Sequence, residues 1–134
     1  MDIQAQIERF LASPAFGVAG ASTRREKYGN KVLRCYLQHG RRAIPVNPRE
    51  QAIEGVACVA AISDLPADVK SLSVITPPPV TEQVVEQAIA RGIENVWMQP
   101  GAESAKAVAR CREAGVNVIA DGTCLLVVMG YHEH

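Results

Sequence analysis

The sequence predicts an α/β architecture of three layers, a parallel sheet with helices on both faces, and three observations carry that prediction. The first is a rhythm. A helical stretch closes on glycine and an apolar strand follows, at His39-Gly40, Arg91-Gly92 and Ala114-Gly115. Glycine ends helices readily because it adopts the left-handed conformation without a steric penalty. The second is strand composition: Val116-Asn117-Val118-Ile119-Ala120 is apolar nearly throughout instead of alternating, as in strands covered on both faces. The third is spacing. Helical stretches of about 10 to 15 residues between strands imply right-handed crossovers and parallel pairing. The expected fold is therefore doubly wound and Rossmann-like.

Taken in order, Asp2 is positioned to cap a first helix in which Ile3, Ile7, Phe10 and Leu11 share a face. Ser13-Pro14 ends it, and Phe16 to Ala19 forms the first strand. A loop carrying Arg24, Arg25 and Lys27 leads into a helix near Gly29-Asn30, with Val32, Leu33, Tyr36 and Leu37 at helical spacing and Gly40 as the stop. Ala43-Ile44-Pro45-Val46 is a second strand, and its proline places it at a sheet edge or strand end. Val56 to Val59 reads as a minor strand, Ser63-Asp64-Leu65-Pro66 as a capped turn, and Leu72 to Thr76 as the third main strand.

Pro77-Pro78-Pro79 stops that strand. Val80, Val84, Val85, Ala88 and Ile89 then line a helix closed at Gly92; Asn95 to Gln99 is the fourth strand. Ala105, Val108 and Ala109 mark another helix, and Val116 to Ala120 the fifth strand. The length of 134 residues suits one domain, 1–134, with an N-terminal helix over 1–13 and a tail, 125–134, whose state the pattern leaves open.

Composition excludes several classes. Lys+Arg and Asp+Glu are equal at 14 each, so no basic field points to nucleic acid. No apolar run is long enough for a membrane span, and the N-terminus lacks the basic head and apolar core of a signal peptide. Cys35, Cys58, Cys111 and Cys124 are widely separated and His132 and His134 stand in the tail, so no metal site is expected. Free thiols and a cytoplasmic location are the corresponding expectation. Cys35 and Cys111 read as small apolar helix residues, whereas Cys124 alone stands where a thiol can serve a ligand.

In an open parallel sheet the ligand lies beyond the carboxyl ends of the strands. That rule selects Gly20-Ala21-Ser22, Asn47-Pro48-Arg49, Thr76-Pro77-Pro78, Gln99-Pro100-Gly101 and Asp121-Gly122-Thr123-Cys124. The turn after strand one, followed by Arg24, Lys27, Tyr28, Gly29 and Asn30 at a helix start, supplies free amides and positive charge for a phosphate. A side chain at Gly20 is expected to block that approach while sparing the fold.

The dinucleotide signature Gly-x-Gly-x-x-Gly is missing, and strand two ends in Arg49 in place of a carboxylate. A ribose phosphate is thus favoured, as in coenzyme A or NADP, over plain NAD. Three prolines read as a stiff, extended, donor-free wall for an adenine or a pantetheine arm, with little to offer a nicotinamide. Trp97, inside a strand, reads as core. Asp121 reads as a turn cap. No nucleophile, base and orienter assemble, so no catalytic residue is expected.

The motifs Val18-Ala19-Gly20-Ala21-Ser22, Tyr28-Gly29-Asn30-Lys31-Val32, Ile44-Pro45-Val46-Asn47-Pro48, Ile75-Thr76-Pro77-Pro78, Val96-Trp97-Met98-Gln99-Pro100-Gly101 and Asp121-Gly122-Thr123-Cys124 run in order through the chain after residue 14. With them the sequence resembles the stand-alone coenzyme A-binding domain family, related to the N-terminal domain of the succinyl-CoA synthetase alpha subunit. The resemblance implies pyrophosphate at Gly20-Ala21-Ser22 and Gly29-Asn30, the adenosine phosphate near Asn47-Pro48-Arg49, and adenine beside Thr76-Pro77-Pro78. The family often has Arg before the last cysteine; this chain has Thr123. The synthetase's ligase domain with its phosphorylated histidine has no counterpart here.

The expectation is a protein that holds coenzyme A or an acyl-CoA without transforming it, alone, as a homo-oligomer, or as a subunit presenting it to a partner enzyme. An NADP-binding oxidoreductase or redox-sensing domain is the alternative.

Overall fold

The computed structural model describes residues 1–133. Its main sheet has five parallel strands, β1 (Ala15–Ala19), β2 (Arg42–Val46), β5 (Val69–Val74), β6 (Asn95–Met98) and β7 (Asn117–Ile119), ordered β2-β1-β5-β6-β7. A two-stranded hairpin, β3 (Ala52–Ile53) and β4 (Val56–Ala57), stands beside it. The chain winds outward from β1 to β2, then returns past β1 to β5 and continues outward through β6 and β7. The strand order therefore reverses between β1 and β5.

Helices α1 (Ile3–Leu11), α2 (Tyr28–Gln38) and α5 (Leu125–Met129) cover one face, and α3 (Pro78–Arg91) and α4 (Ala105–Glu113) cover the other. The period of two along each strand divides the core between them. Phe16, Val18 and Trp97 point under the first group, while Val96 and Met98 point under the second with Val84, Val85, Ala88 and Cys111. The few buried aromatics gather under the first group. Phe10 meets Trp97 edge-on at 5.2 Å and Phe16 stacks on Tyr36 at 4.6 Å. Such pairs add about 0.5–1.5 kcal/mol beyond their area.

The amino end of the sheet is closed by a buried polar ladder. Ser71, Asn95 and Asn117 are successive register partners across β5, β6 and β7. Asn117 Nδ2 donates to Asn95 Oδ1 (3.0 Å), Asn95 Nδ2 to Ser71 Oγ (3.1 Å), and Ser71 Oγ to the Phe10 carbonyl (2.7 Å). Gln6 Nε2 donates to Asn117 Oδ1 (3.2 Å) and to the Val118 carbonyl (2.9 Å), and Asn117 Nδ2 donates to the Gln6 carbonyl (3.0 Å). The ladder thereby fixes α1 to the sheet.

Several boundaries differ from the sequence expectations. The third main strand runs Val69–Val74, not Leu72–Thr76, because Ser71 is a ladder residue and Lys70 lies at the rim, so the polar interruption belongs inside the strand. The outer strands also stop sooner, at Met98 and Ile119. Val56 to Val59 divides: Val56–Ala57 pairs antiparallel with Ala52–Ile53, and Val59 makes a parallel bridge to Val46.

The hairpin turns on Glu54 (φ 51°) and Gly55 (φ 77°). The first is disfavoured for a glutamate by roughly 1–2 kcal/mol. The expected capped turn at Ser63 is a 3-10 turn over Ile62–Asp64 without a side-chain cap. Pro77 is the N-cap of α3 and Pro78 and Pro79 are its first turn, so the three prolines are not an extended wall. Proline fits there because first-turn amides have no helical acceptor to lose. Val80 of that helix is exposed, not buried.

Pro45 lies on an edge strand, as its ring requires. The tail forms α5, and Tyr131–Glu133 then runs back along α2, where Gln38 exchanges bonds of 2.6 and 3.0 Å with the His132 backbone. His134 lies outside the described residues.

Candidate functional site

Beyond β1 and β5, three stretches of backbone stack on one another. Gly20 has φ 92°, and a Cβ there would overlap the Ile75 carbonyl. A Cβ on Gly29 would in turn overlap the carbonyl of Gly20. Ile75 N donates to Ala19 O at 2.8 Å, which ties the two strand ends together just below. Both glycines are thus demanded by chain-on-chain packing before any ligand is considered, and a substitution at Gly20 does not spare the fold.

This stacking sets the first turn of α2 directly over the turn after β1. Among the described residues, the amides of Tyr28 and Gly29 meet no acceptor in the chain, and the N-cap Lys27 supplies no side-chain bond. Free amides at the positive end of a helix dipole attract an anion. Gly20, Ser22, Arg24, Lys27, Tyr28, Gly29 and Ile75 bound a hollow of about 480 Å³ there. Across Tyr28 and Ile75 it adjoins a second hollow of about 480 Å³, between Thr76-Pro77 on one side and Gln99, Pro100, Gly101, Ala102 and Cys124 on the other. Tyr28, with 59% of its surface exposed, stands between them.

The charges of the loop are unequal. Arg25 is paired with Glu54, and Arg34, buried in α2, donates to the Arg25 carbonyl at 2.7 Å. Arg24 pairs with Glu26 at 3.2 Å, both exposed, an arrangement worth little in water. Lys27 has no ion pair among the described residues. Arg24 and Lys27 are therefore the cations open to a ligand.

Other expected site residues hold the loop instead of facing either hollow. Asn30 is fully buried: its Nδ2 donates to the Ser22 carbonyl (2.9 Å) and to Glu54 (3.1 Å), and its Oδ1 accepts from Arg34 (2.6 Å). Asn47 Nδ2 donates to the carbonyl of buried Ala21 at 3.0 Å, and its Oδ1 accepts the amides of Arg49 and Glu50. Pro48 and Arg49 are exposed on the far side of that clasp, and Pro78 turns into α3; none of the three lines a hollow. Thr76, by contrast, does line the second hollow, with its Oγ1 bonded to Thr81 Oγ1 at 2.7 Å at the start of α3.

At the far end, Gln99 is buried and engaged. Its Oε1 accepts the Leu125 amide at 2.8 Å, and its Nε2 lies 3.4 Å from Cys124 Sγ. Gly101 N donates to the Glu103 carboxylate. Trp97 is core, as expected, and its Nε1 holds the Thr123 carbonyl at 2.9 Å. Asp121 accepts from Thr123, which holds its carboxyl below the usual range and agrees with a turn cap. Burial pushes Cys35 and Cys111 up to about 11, so they behave as apolar residues. Among the described residues no group of His, Cys, Asp or Glu is assembled for a metal.

Pro100, which the strand-end rule selects, lines the second hollow; the sequence did not single out Ile75 and Ala102 as lining residues, or Glu54 and Arg34 as supports of the loop. Ile75 and Ala102 adjoin residues that the rule selects. Nothing local marked Glu54 or Arg34.

A family described as the CoA binding domain matches residues 15–129. The alpha subunit of an ADP-forming acetate–CoA ligase II from Pyrococcus furiosus is 24% identical over 91 residues, 67% of this chain and 20% of its own length. The chain therefore spans about a fifth of that curated relative. A conserved hypothetical protein from Pyrococcus furiosus superposes with a TM-score of 0.81 at 37% identity, over 85% of this chain and 97% of its own. A dinucleotide-forming acetyl-coenzyme A synthetase 1 of Ca. Korarchaeum cryptofilum, in complex with phosphate and ADP, superposes at 0.77 with 25% identity, over 87% of this chain and 27% of its own.

Proposed function

The chain belongs to the CoA-binding domain family, and from that premise we propose that it holds coenzyme A or an acyl-CoA across the rim between β1 and β5 without transforming it. One observation carries the reading: the amides of Tyr28 and Gly29 stand open at the start of α2, beside Arg24 and Lys27. The pyrophosphate rests there, on Gly20-Ala21-Ser22 and the first turn of α2. Lys27 supplies charge without leaving a partner.

The uncharged portion lies past Tyr28, in the second hollow. Pro77, Pro78 and Pro79 remove three consecutive amides from the start of α3, so this neighbouring helix has little to offer a phosphate. The ligand is oriented by that contrast: charge toward α2, adenine toward Thr76 and Pro77. Arg49 is exposed and lines neither hollow, so it serves the 3′-phosphate only by reaching back over the Asn47 clasp, and titration with dephospho-CoA decides that assignment. No residue is assigned a chemical step. In the acetate–CoA ligase and the acetyl-coenzyme A synthetase the matched region is a minor part of a longer chain. Any chemistry on the bound ligand accordingly belongs to a partner enzyme, with this chain as the holder.

Calorimetric titration with CoA, dephospho-CoA, NADP and NAD tests the reading. CoA is expected to bind, and loss of the 3′-phosphate to weaken it about tenfold, as for a charged hydrogen bond of about 1.5 kcal/mol. Equal binding of CoA and dephospho-CoA removes Arg49 from the site. NADP binding in the absence of CoA binding overturns the assignment.

A further inference from the structure

Glu54 directly follows none of the main-sheet strands, yet its carboxylate is the outer half of the clamp on the loop. It sits at the tip of the β3–β4 hairpin, the one non-glycine among the described residues with a left-handed backbone, although Gly or Asn is easier there. A side chain kept in a disfavoured conformation is explained by what it touches. One carboxylate oxygen receives Asn30 Nδ2 at 3.1 Å, and the other pairs with Arg25. Asn30 passes the hold inward to the Ser22 carbonyl, and Arg34 secures the Arg25 carbonyl from below. The stretch from Ser22 to Arg25 is thereby fixed at both ends, while Ser22 and Arg24 bound the hollow over the free amides. Asn30 holds the Glu54 carboxyl below the usual glutamate range, with Arg25 adding to the effect.

The geometry points to Glu54 as a positioning residue for anion binding: it occupies Arg25, leaves Arg24 and Lys27 for the ligand, and through Asn30 keeps the loop in its receptive shape. This rests on the coenzyme A reading above. Two effects oppose each other when Glu54 is removed. Freed Arg25 adds positive charge, which favours an anion, whereas the loop loses its outer hold, which disfavours one. Exposed charges are screened within about 10 Å at ordinary salt. Order in the loop, by contrast, acts at contact distance. Loss of order prevails.

The test compares Glu54→Gly, Glu54→Gln and the natural protein in calorimetric titration with CoA, alongside thermal melting without ligand. Glu54→Gly removes the carboxylate and relieves the backbone, so the melting temperature is expected to stay or rise. Its CoA affinity is expected to fall about tenfold. Glu54→Gln retains one acceptor oxygen and is expected to recover part of that loss, to within about threefold of the natural protein. A merely structural role predicts that affinity follows melting temperature. Glu54→Gly binding CoA as well as the natural protein, or better, overturns this inference and leaves the coenzyme A reading standing. A natural protein that binds no CoA overturns both.

Discussion

At the amino end of the sheet, Asn117, Asn95 and Ser71 pass hydrogen bonds from strand to strand and on to α1. Among the described residues no buried side-chain polar atom is left without a partner. At the carboxyl end the same strands stop beneath glycines and prolines, and the amides of Tyr28 and Gly29 have nothing in the chain to meet. The difference teaches where each kind of polar group is satisfied. Below, the protein answers its own donors, and they hold the fold. Above, the answer comes from outside the chain: from water, or from the anion in the reading proposed here. Stability and recognition are thus separable, except where Ile75, Gly20 and Gly29 stack.

That exception gives the largest expected effect. Alanine is about 1 kcal/mol better than glycine inside a helix, yet Gly29→Ala places its Cβ on the Gly20 carbonyl. Denaturant unfolding is expected to show a loss on the order of 3 kcal/mol, with CoA binding lost as well. A stable Gly29→Ala protein with normal affinity breaks the stacking argument. Next, Asn95→Leu leaves Asn117 and Ser71 without their shared partner in a buried place. About 2 kcal/mol of stability is expected to go, in the range for unsatisfied buried groups. CoA affinity, measured in the same preparation, is expected to stay within about twofold; a larger drop couples the two ends.

Lys27→Ala sharpens the contrast from the other side. The expected loss of CoA affinity is about 1.5 kcal/mol, steeper at low salt, with unfolding stability changed by less than about 0.5 kcal/mol. Unchanged affinity removes the α2 start from the site. The smallest effect concerns acid. The folded-state pKa of Glu54 is lowered, chiefly by Asn30. Its contribution is therefore complete above the ordinary value of 4.5 and is lost as pH falls through the lower folded value. Melting curves taken downward from pH 5 are expected to show Glu54→Gln less acid-sensitive than the natural protein. Parallel curves remove Glu54 from the acid response.

Much of this was legible in the residues. Glycine-terminated helices and continuous apolar strands announce a parallel sheet; the strand-end rule reaches Gly20, Thr76 and Gly101 without coordinates, and the cationic loop before the next helix reaches Lys27 and Tyr28. What escaped had no local signature. Ser71 looks like the end of an apolar run until its partners on β6 and α1 are known. A triple proline reads equally as an extended wall or a helix start, because its φ suits both. Asn30 and Asn47 sit where a ligand contact is expected, but their neighbours claim their polar atoms. Glu54 comes to the loop from 24 residues beyond Asn30, a pairing that the tertiary fold alone creates.

The outermost strands carry one further consequence. Pro45 in β2 has no amide hydrogen, its carbonyl is taken by Val59 N at 3.0 Å, and Asn47 N donates to Val59 O at 2.9 Å. On the opposite margin Gln6 of α1 occupies the Val118 carbonyl of β7. An unguarded margin recruits strands from other molecules and grows into aggregates. With a guard at each side, this sheet resists sideways growth, and two molecules that associate have to meet through their helices or rims instead of merging into one continuous ribbon.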